Sequence, residues 1–92
     1  MVGMKTIVFS RKGQPGKAAT DQLLEELKRL KINYENLDID SREGVAKAEL
    51  YDVVQTPAVI TTQDDGKLLY AWQELLPDPS ELNRIAFIWS KS

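Results

Sequence analysis

The feature that most constrains the fold is the alternation of short apolar runs with longer amphipathic segments along the 92 residues. The apolar and β-branched run at 5–10 is typical of a strand that is buried on both faces of a sheet. The segment 15–30 instead carries apolar residues at steps of three or four, which predicts an amphipathic helix. Its stripe consists of Ala19, Leu23, Leu27 and Leu30, widened by Leu24.

The rest of the chain continues this alternation. The pattern predicts a strand at 33–38, a short helix at 41–51 and a hairpin made of strands at 58–62 and 67–72. Asp65-Gly66 marks the hairpin turn because glycine accepts a positive φ. The short helix has two competing start signals, a capping box of Asp40 with Glu43 and a cap by Ser41. It also contains Gly44, which is expected to cost about 1 kcal/mol relative to alanine.

A final helix is predicted after the hairpin. Asp78 is its expected cap, and Pro79 and Glu81 suit the first turn. Its apolar stripe consists of Leu82, Ile85, Ala86 and Trp89, with Ile88 beside it.

The predicted order β-α-β-α-β-β-α indicates an α/β fold. A right-handed βαβ crossover makes the first two strands parallel neighbours, and the hairpin adds an antiparallel pair. We therefore expect a four-stranded mixed sheet with helices on both faces. The length predicts one domain over residues 1–92. Residues 1–3 are expected to be disordered or to precede a natural start at Met4.

The composition excludes several chemistries. The chain contains no cysteine and no histidine, so it has no thiol for redox catalysis and no imidazole for a triad. A net charge of −2 argues against nucleic-acid binding. No apolar run reaches the roughly 18–20 residues that span a bilayer, and the start lacks a signal peptide, so we expect a cytoplasmic protein. The aspartates fit capping and turn roles, and we expect no metal or cofactor.

The junction between the first strand and the first helix is the candidate site. A helix start leaves backbone N–H groups unpaired, and together with nearby ammonium groups they can bind phosphate, carboxylate or sulfate. The alternative is that this segment is simply a solvated basic loop, and the residue pattern leaves both open. The candidate residues at this junction are Lys12, Gly13, Gln14, Gly16 and Lys17.

Two stretches resemble a known family. Ile7-Val8-Phe9-Ser10 runs into the loop 11–17, and Gln55-Thr56-Pro57-Ala58 precedes the third strand. On these residues the chain resembles the thioredoxin-fold superfamily, closest to its small glutaredoxin-like members. The resemblance implies that Gln14 and Lys17 occupy the positions of the two redox cysteines. It also implies that the Thr56–Pro57 bond is cis and lies beside that motif. The Gly-Gly-x-x-Asp-like turn with which a glutaredoxin helps to hold glutathione is not matched at 73–79.

The resemblance and the missing thiols together predict a redox-inactive binding module rather than an enzyme. The loop 11–17 and the backbone at Thr56 and Pro57 are expected to hold an extended peptide or a protein partner. An alternative is a small anionic ligand, glutathione-like or phosphorylated, at the start of the first helix. A third possibility is a structural part of a larger redox assembly, with no ligand of its own. The sequence does not indicate an oligomeric state.

Overall fold

The computed structural model describes residues 4–11, 17–73 and 76–90. In chain order its elements are β1 (Met4–Ser10), α1 (Lys17–Arg29), β2 (Tyr34–Asp38), α2 (Arg42–Leu50), β3 (Ala58–Gln63), β4 (Leu68–Gln73) and α3 (Pro79–Ser90). This order confirms the predicted β-α-β-α-β-β-α arrangement, with each end of β4 lying one residue later than expected. The predicted helix start at Pro15 lies outside the described residues.

The four strands form one mixed sheet in the order β2-β1-β3-β4. β1 and β2 are parallel, as the crossover through α1 requires. β3 is antiparallel to both β1 and β4. The predicted four-stranded mixed sheet is therefore confirmed, and β2 and β4 are its two edge strands.

The sheet has a hydrophobic core on each face. On one face, α1 and α3 pack on the central strands, and the buried side chains are Val8, Leu23, Leu27, Val59 and Leu82. On the other face α2 contributes Ala48, which packs with Ile7, Phe9, Leu37, Ile39, Val53, Ala58 and Ile60. The nearly continuous burial of β1 and β3 explains why their sequences do not alternate between apolar and polar residues.

Local signals set the turns that the sequence predicted. Gly66 has a φ of 93°, which the hairpin turn requires, and its N–H donates to the Gln63 carbonyl at 2.9 Å. At the start of α3, the Asp78 carboxylate accepts hydrogen bonds from the backbone N–H and the hydroxyl of Ser80. These two bonds, the backbone bond first, lower the pKa of Asp78. Asp78 therefore caps α3, as the sequence predicted.

The start of α2 differs from the capping-box prediction. Ser41 is the N-cap, and its hydroxyl oxygen accepts from the Gly44 N–H at 3.0 Å. The Asp40 carboxylate instead pairs with Arg11. The interpretation of Gly44 as a mere weak point of the helix is also incomplete. A Cβ at Gly44 would lie 1.9 Å from the Asp38 carbonyl oxygen, so only glycine lets α2 approach the end of β2 this closely.

Candidate functional site

The register of the sheet brings several chain segments together at one end of the strands, where β1 ends and β3 begins. This end of the sheet is called the edge below and is distinct from the edge strands β2 and β4. Phe9 of β1 is paired with Ala58 of β3, and Ala58 is paired with Gln73 of β4. The residues that follow Phe9 and those that precede Ala58 therefore leave the sheet side by side. The start of α1 at Lys17 follows the same end of β1 along the chain. This edge is where the sequence placed the candidate site.

The segment 52–57, called here the Pro57 loop, is anchored by the side chain of Gln73 and by backbone hydrogen bonds to α2. The Gln73 amide oxygen accepts from the backbone N–H of Val54 at 2.9 Å and of Gln55 at 3.2 Å. Its amide nitrogen donates to the Asp52 carbonyl at 3.2 Å. One glutamine thus satisfies three backbone groups of a loop that forms no ladder of its own, and it fixes the approach of the chain to Pro57.

The Pro57 loop exposes the apolar Val54 between the polar residues Asp52 and Gln55, which are also exposed. The Val54 side chain is 81% exposed, and Leu50, at the end of α2, is 70% exposed. Thr56 and Pro57 are half-buried, and the peptide bond between them is cis. A hydrogen-bonded backbone with exposed aliphatic side chains beside it is a surface that can receive another chain.

The other part of this edge, called here the Arg11 side, is polar. It comprises Ser10, Arg11, Asn36, Asp38 and Asp40. The Arg11 guanidinium lies 3.1 Å from the Asp40 carboxylate, and the Ser10 hydroxyl donates to the Asn36 side-chain oxygen at 3.3 Å. The Asp38 carboxylate accepts from the Asp40 N–H at 2.9 Å. These groups are therefore largely satisfied by one another.

A cavity of about 320 Å³ opens on the Arg11 side, between α1 and the ends of β1 and β2. It is lined by Ser10, Arg11, Thr20, Asp21, Leu24, Asn36 and Asp38. The described residues that line it contribute two carboxylates and one guanidinium, and that guanidinium is already paired with Asp40. These described groups offer little net attraction to an anion.

The structure describes only some of the predicted site residues. Lys12, Gly13, Gln14 and Gly16 lie outside the described residues, and Lys17 is the first residue of α1. Thr56 and Pro57 lie at the expected edge, beside the end of β1. The roles proposed for these seven residues stay predictions.

Two residues of this edge were missed by the sequence analysis. Gln73 falls one residue beyond the predicted end of its strand, and nothing in the sequence pairs it with a loop about twenty residues earlier. Val54 stands in a short apolar pair with Val53, and only the structure separates the buried Val53 from the exposed Val54.

Within the described ranges, no group of three or more acidic side chains is arranged to hold a metal ion. None of the helices in these ranges is both long and apolar enough to cross a membrane.

Comparison with known proteins places the fold. Neither the protein-family models nor the curated proteins gave a match to this sequence. Solved structures did match. A thioredoxin variant from Halobacterium salinarum aligns over 94% of this chain and 74% of its own, with a TM-score of 0.73 and 18% identity. Thioredoxin 1 from Thermosipho africanus aligns over 95% of this chain and 94% of its own, with a TM-score of 0.67 and 18% identity.

An uncharacterised thioredoxin-like protein from Clostridium perfringens is similar at a TM-score of 0.73 and 18% identity, over 95% of this chain and 71% of its own. At these identities the likeness shows the fold alone. The chain therefore has the thioredoxin fold, as the sequence predicted, and it has this fold without any cysteine. The finer likeness to glutaredoxin-like members stays a prediction.

Proposed function

We propose that this cysteine-free thioredoxin-fold protein is a redox-inactive binding module. It takes an extended peptide or an extended segment of a protein partner on the Pro57 loop and the adjoining end of β1. The observation that carries the proposal is the exposure of the Val54 side chain, 81%, on a backbone that Gln73 holds in place. Without a thiol the chain has no group for thiol–disulfide exchange, and this favours recognition over redox catalysis.

The Pro57 loop combines an ordered backbone with exposed apolar surface. A loop that is already hydrogen-bonded loses little conformational entropy when a partner binds, so more of the contact energy appears as affinity. Burying a valine or leucine side chain is worth about 1.5–3 kcal/mol. Val54 and Leu50 offer that gain.

The anionic-ligand alternative receives less support. On the Arg11 side the only described cation is paired with Asp40, and the neighbouring Asp38 carboxylate would repel an anion. Anion binding would therefore depend on Lys12 and Lys17. These arguments favour an extended chain as the partner.

The test uses reduced, carboxymethylated α-lactalbumin as a probe, because it presents an extended chain without free thiols. We expect the wild-type protein to bind it and Val54→Asp to bind about tenfold more weakly, since the substitution places a charge where an apolar contact is needed. The matched control is Phe87→Asp. Phe87 is also an exposed apolar residue, but it lines a cavity with Met4, at the opposite end of β1.

Equal loss of binding in both variants, or no binding by the wild type, would contradict the proposal. Competition by millimolar inorganic phosphate, together with unchanged binding by Val54→Asp, would favour the anionic ligand instead.

A further inference from the structure

The two edge strands of the sheet differ in how they are protected. β2 (Tyr34–Asp38) carries Glu35 and Asp38, and Lys47 of α2 lies 4.0 Å from the Glu35 carboxylate. β4 (Leu68–Gln73) has the sequence Leu-Leu-Tyr-Ala-Trp-Gln, with no charge, proline or glycine. In the described ranges no further strand pairs with its outer edge. Monomeric proteins commonly protect such an edge with charges, proline, bulges or a covering element. Within the strand itself β4 has only the irregularity of register opposite Thr61 and Thr62.

We propose that the outer edge of β4 pairs antiparallel with the β4 of a second copy of this chain, across a two-fold axis at Ala71. The two sheets would join into one continuous sheet of eight strands. This proposal concerns a different surface from the Pro57 loop and does not depend on the proposed function.

The charge pattern favours a second copy in antiparallel orientation. A strand paired with itself across a two-fold axis needs only one surface, and β4 offers no side-chain charge that would meet its own like charge. Asp64 and Asp65 lie in the turn just before β4. Antiparallel pairing about Ala71 keeps the two acidic turns at opposite ends of the strand pair, roughly 40 Å apart, because each Asp65 lies about six residues from the axis. That separation exceeds the Debye length of about 8–10 Å, whereas parallel pairing would bring the turns together.

The register follows from the shape of β4. A register shift between Thr61 and Thr62 disturbs the first part of β4, but Tyr70 to Gln73 pair regularly with β3. An axis at Ala71 lies inside this regular part and sets Tyr70 of each copy opposite Trp72 of the other. Tyr70 is 48% exposed and already stacks on Trp72 at 5.9 Å. Ala71 is small and exposed, so the two strands can approach closely at the axis.

The predicted dimer is weak. With the axis at Ala71, residues 69–73 of the two β4 strands lie opposite one another, and so short a strand pair buries less surface than the roughly 1,200–2,000 Å² of stable complexes. The association should therefore depend on protein concentration. It should stop at the dimer, because the symmetric pairing uses the β4 edge of both copies.

The experiment is sedimentation equilibrium between about 10 µM and 1 mM protein, the range of a weak association. We expect the mass of the wild type to rise from 10.4 kDa towards twice that value. Ala71→Lys should stay monomeric, since it sets two ammonium groups against each other at the axis. Val45→Lys, the same change at an exposed site on α2, should associate as the wild type does. A wild type that stays at 10.4 kDa, or an Ala71→Lys variant that associates normally, would overturn the proposal.

A second variant tests the register without relying on disruption. Since the chain has no cysteine, Ala71→Cys introduces the only thiol. At the proposed axis it faces its own copy, so mild oxidation should form an intermolecular disulfide quickly. Glu35→Cys, on the other edge strand, should form one at least tenfold more slowly. Equal rates for the two variants would contradict the β4 pairing.

Discussion

The Arg11 side and the Pro57 loop lie at the same edge of the sheet but are built in opposite ways. On the Arg11 side the polar groups satisfy one another, through the Arg11–Asp40 pair and the Ser10–Asn36 hydrogen bond. In the Pro57 loop the Gln73 side chain bonds three backbone groups, the N–H groups of Asp52 and Val53 donate to carbonyls of α2, and the aliphatic Val54 is left in solvent. The first region uses its polar groups internally, whereas the second exposes apolar surface on a fixed backbone.

Under the proposed function, this difference separates a structural role from a binding role. The polar residues of the Arg11 side pair with one another at the junction between β1, β2 and α2, whereas the candidate residues Lys12, Gly13, Gln14 and Gly16 lie outside the described residues. The exposed apolar surface lies on the Pro57 loop, the other part of this edge. The sequence does not distinguish its residues from core residues. A partner that binds here gains more from the Pro57 loop than from the Arg11 side.

The largest effect on stability is expected where Gly44 of α2 packs against Asp38 of the Arg11 side. Gly44→Ala would set a Cβ 1.9 Å from the Asp38 carbonyl oxygen, so α2 must move away from the end of β2. We expect a loss of about 3 kcal/mol in the free energy of unfolding, at the upper end for overpacking. The measurement is urea unfolding at equilibrium.

Helix propensity predicts the opposite sign for this change, which makes the test decisive. Ala46→Gly is the matched control, because Ala46 is exposed on the same helix and the substitution should cost only about 1 kcal/mol. A Gly44→Ala variant more stable than the wild type would show that α2 does not approach β2 so closely.

The next effect concerns the Pro57 loop. Gln73→Ala removes three hydrogen bonds to the backbone of the loop, and we expect a loss of about 1–2 kcal/mol. The Val54 and Gln55 amides should exchange with solvent markedly faster, while the amides of β1 keep their protection. Hydrogen exchange followed by NMR measures both.

Gln73→Glu separates the accepting part of this interaction from the donating part. A carboxylate keeps the acceptor for the Val54 and Gln55 N–H groups but cannot donate to the Asp52 carbonyl. Its loss of stability should therefore lie between those of the wild type and Gln73→Ala. If both variants match the wild type in exchange and stability, Gln73 does not hold the loop.

The sequence predicted the element order, the mixed sheet and the Asp78 cap, because each depends on local periodicity or on neighbouring residues. It did not predict the role of Gln73, because the contact joins two segments about twenty residues apart. The constraint on Gly44 was missed because it comes from the packing of α2 against the Asp38 carbonyl of another element, which a helix propensity does not include. The exposure of Val54 depends on which way a loop turns, and no periodic pattern encodes that direction.

The smallest effect on stability is expected at Glu43, on the exposed side of α2. A hydrogen bond with Glu35, reinforced by the charge of Glu35, raises the pKa of Glu43. A raised pKa in the folded state means that this contribution to stability is present below the ordinary pKa of glutamate and is lost as the pH rises through the raised value. Glu43→Gln keeps a neutral hydrogen-bonding side chain at pH 7. It should therefore raise Tm slightly at pH 7 and leave it unchanged at about pH 3. Calorimetry at the two pH values measures the difference, and an equal change at both would contradict this explanation.

The central claim is that a partner binds the Pro57 loop rather than the Arg11 side, and amide chemical-shift mapping tests it most directly. With reduced, carboxymethylated α-lactalbumin added to the ¹⁵N-labelled protein, we predict that the largest shifts occur at Val54, Gln55 and Thr56, with smaller ones at Ser10 and Arg11. Shifts confined to Arg11 and the start of α1, reproduced by inorganic phosphate and absent from Val54, Gln55 and Thr56, would contradict the account.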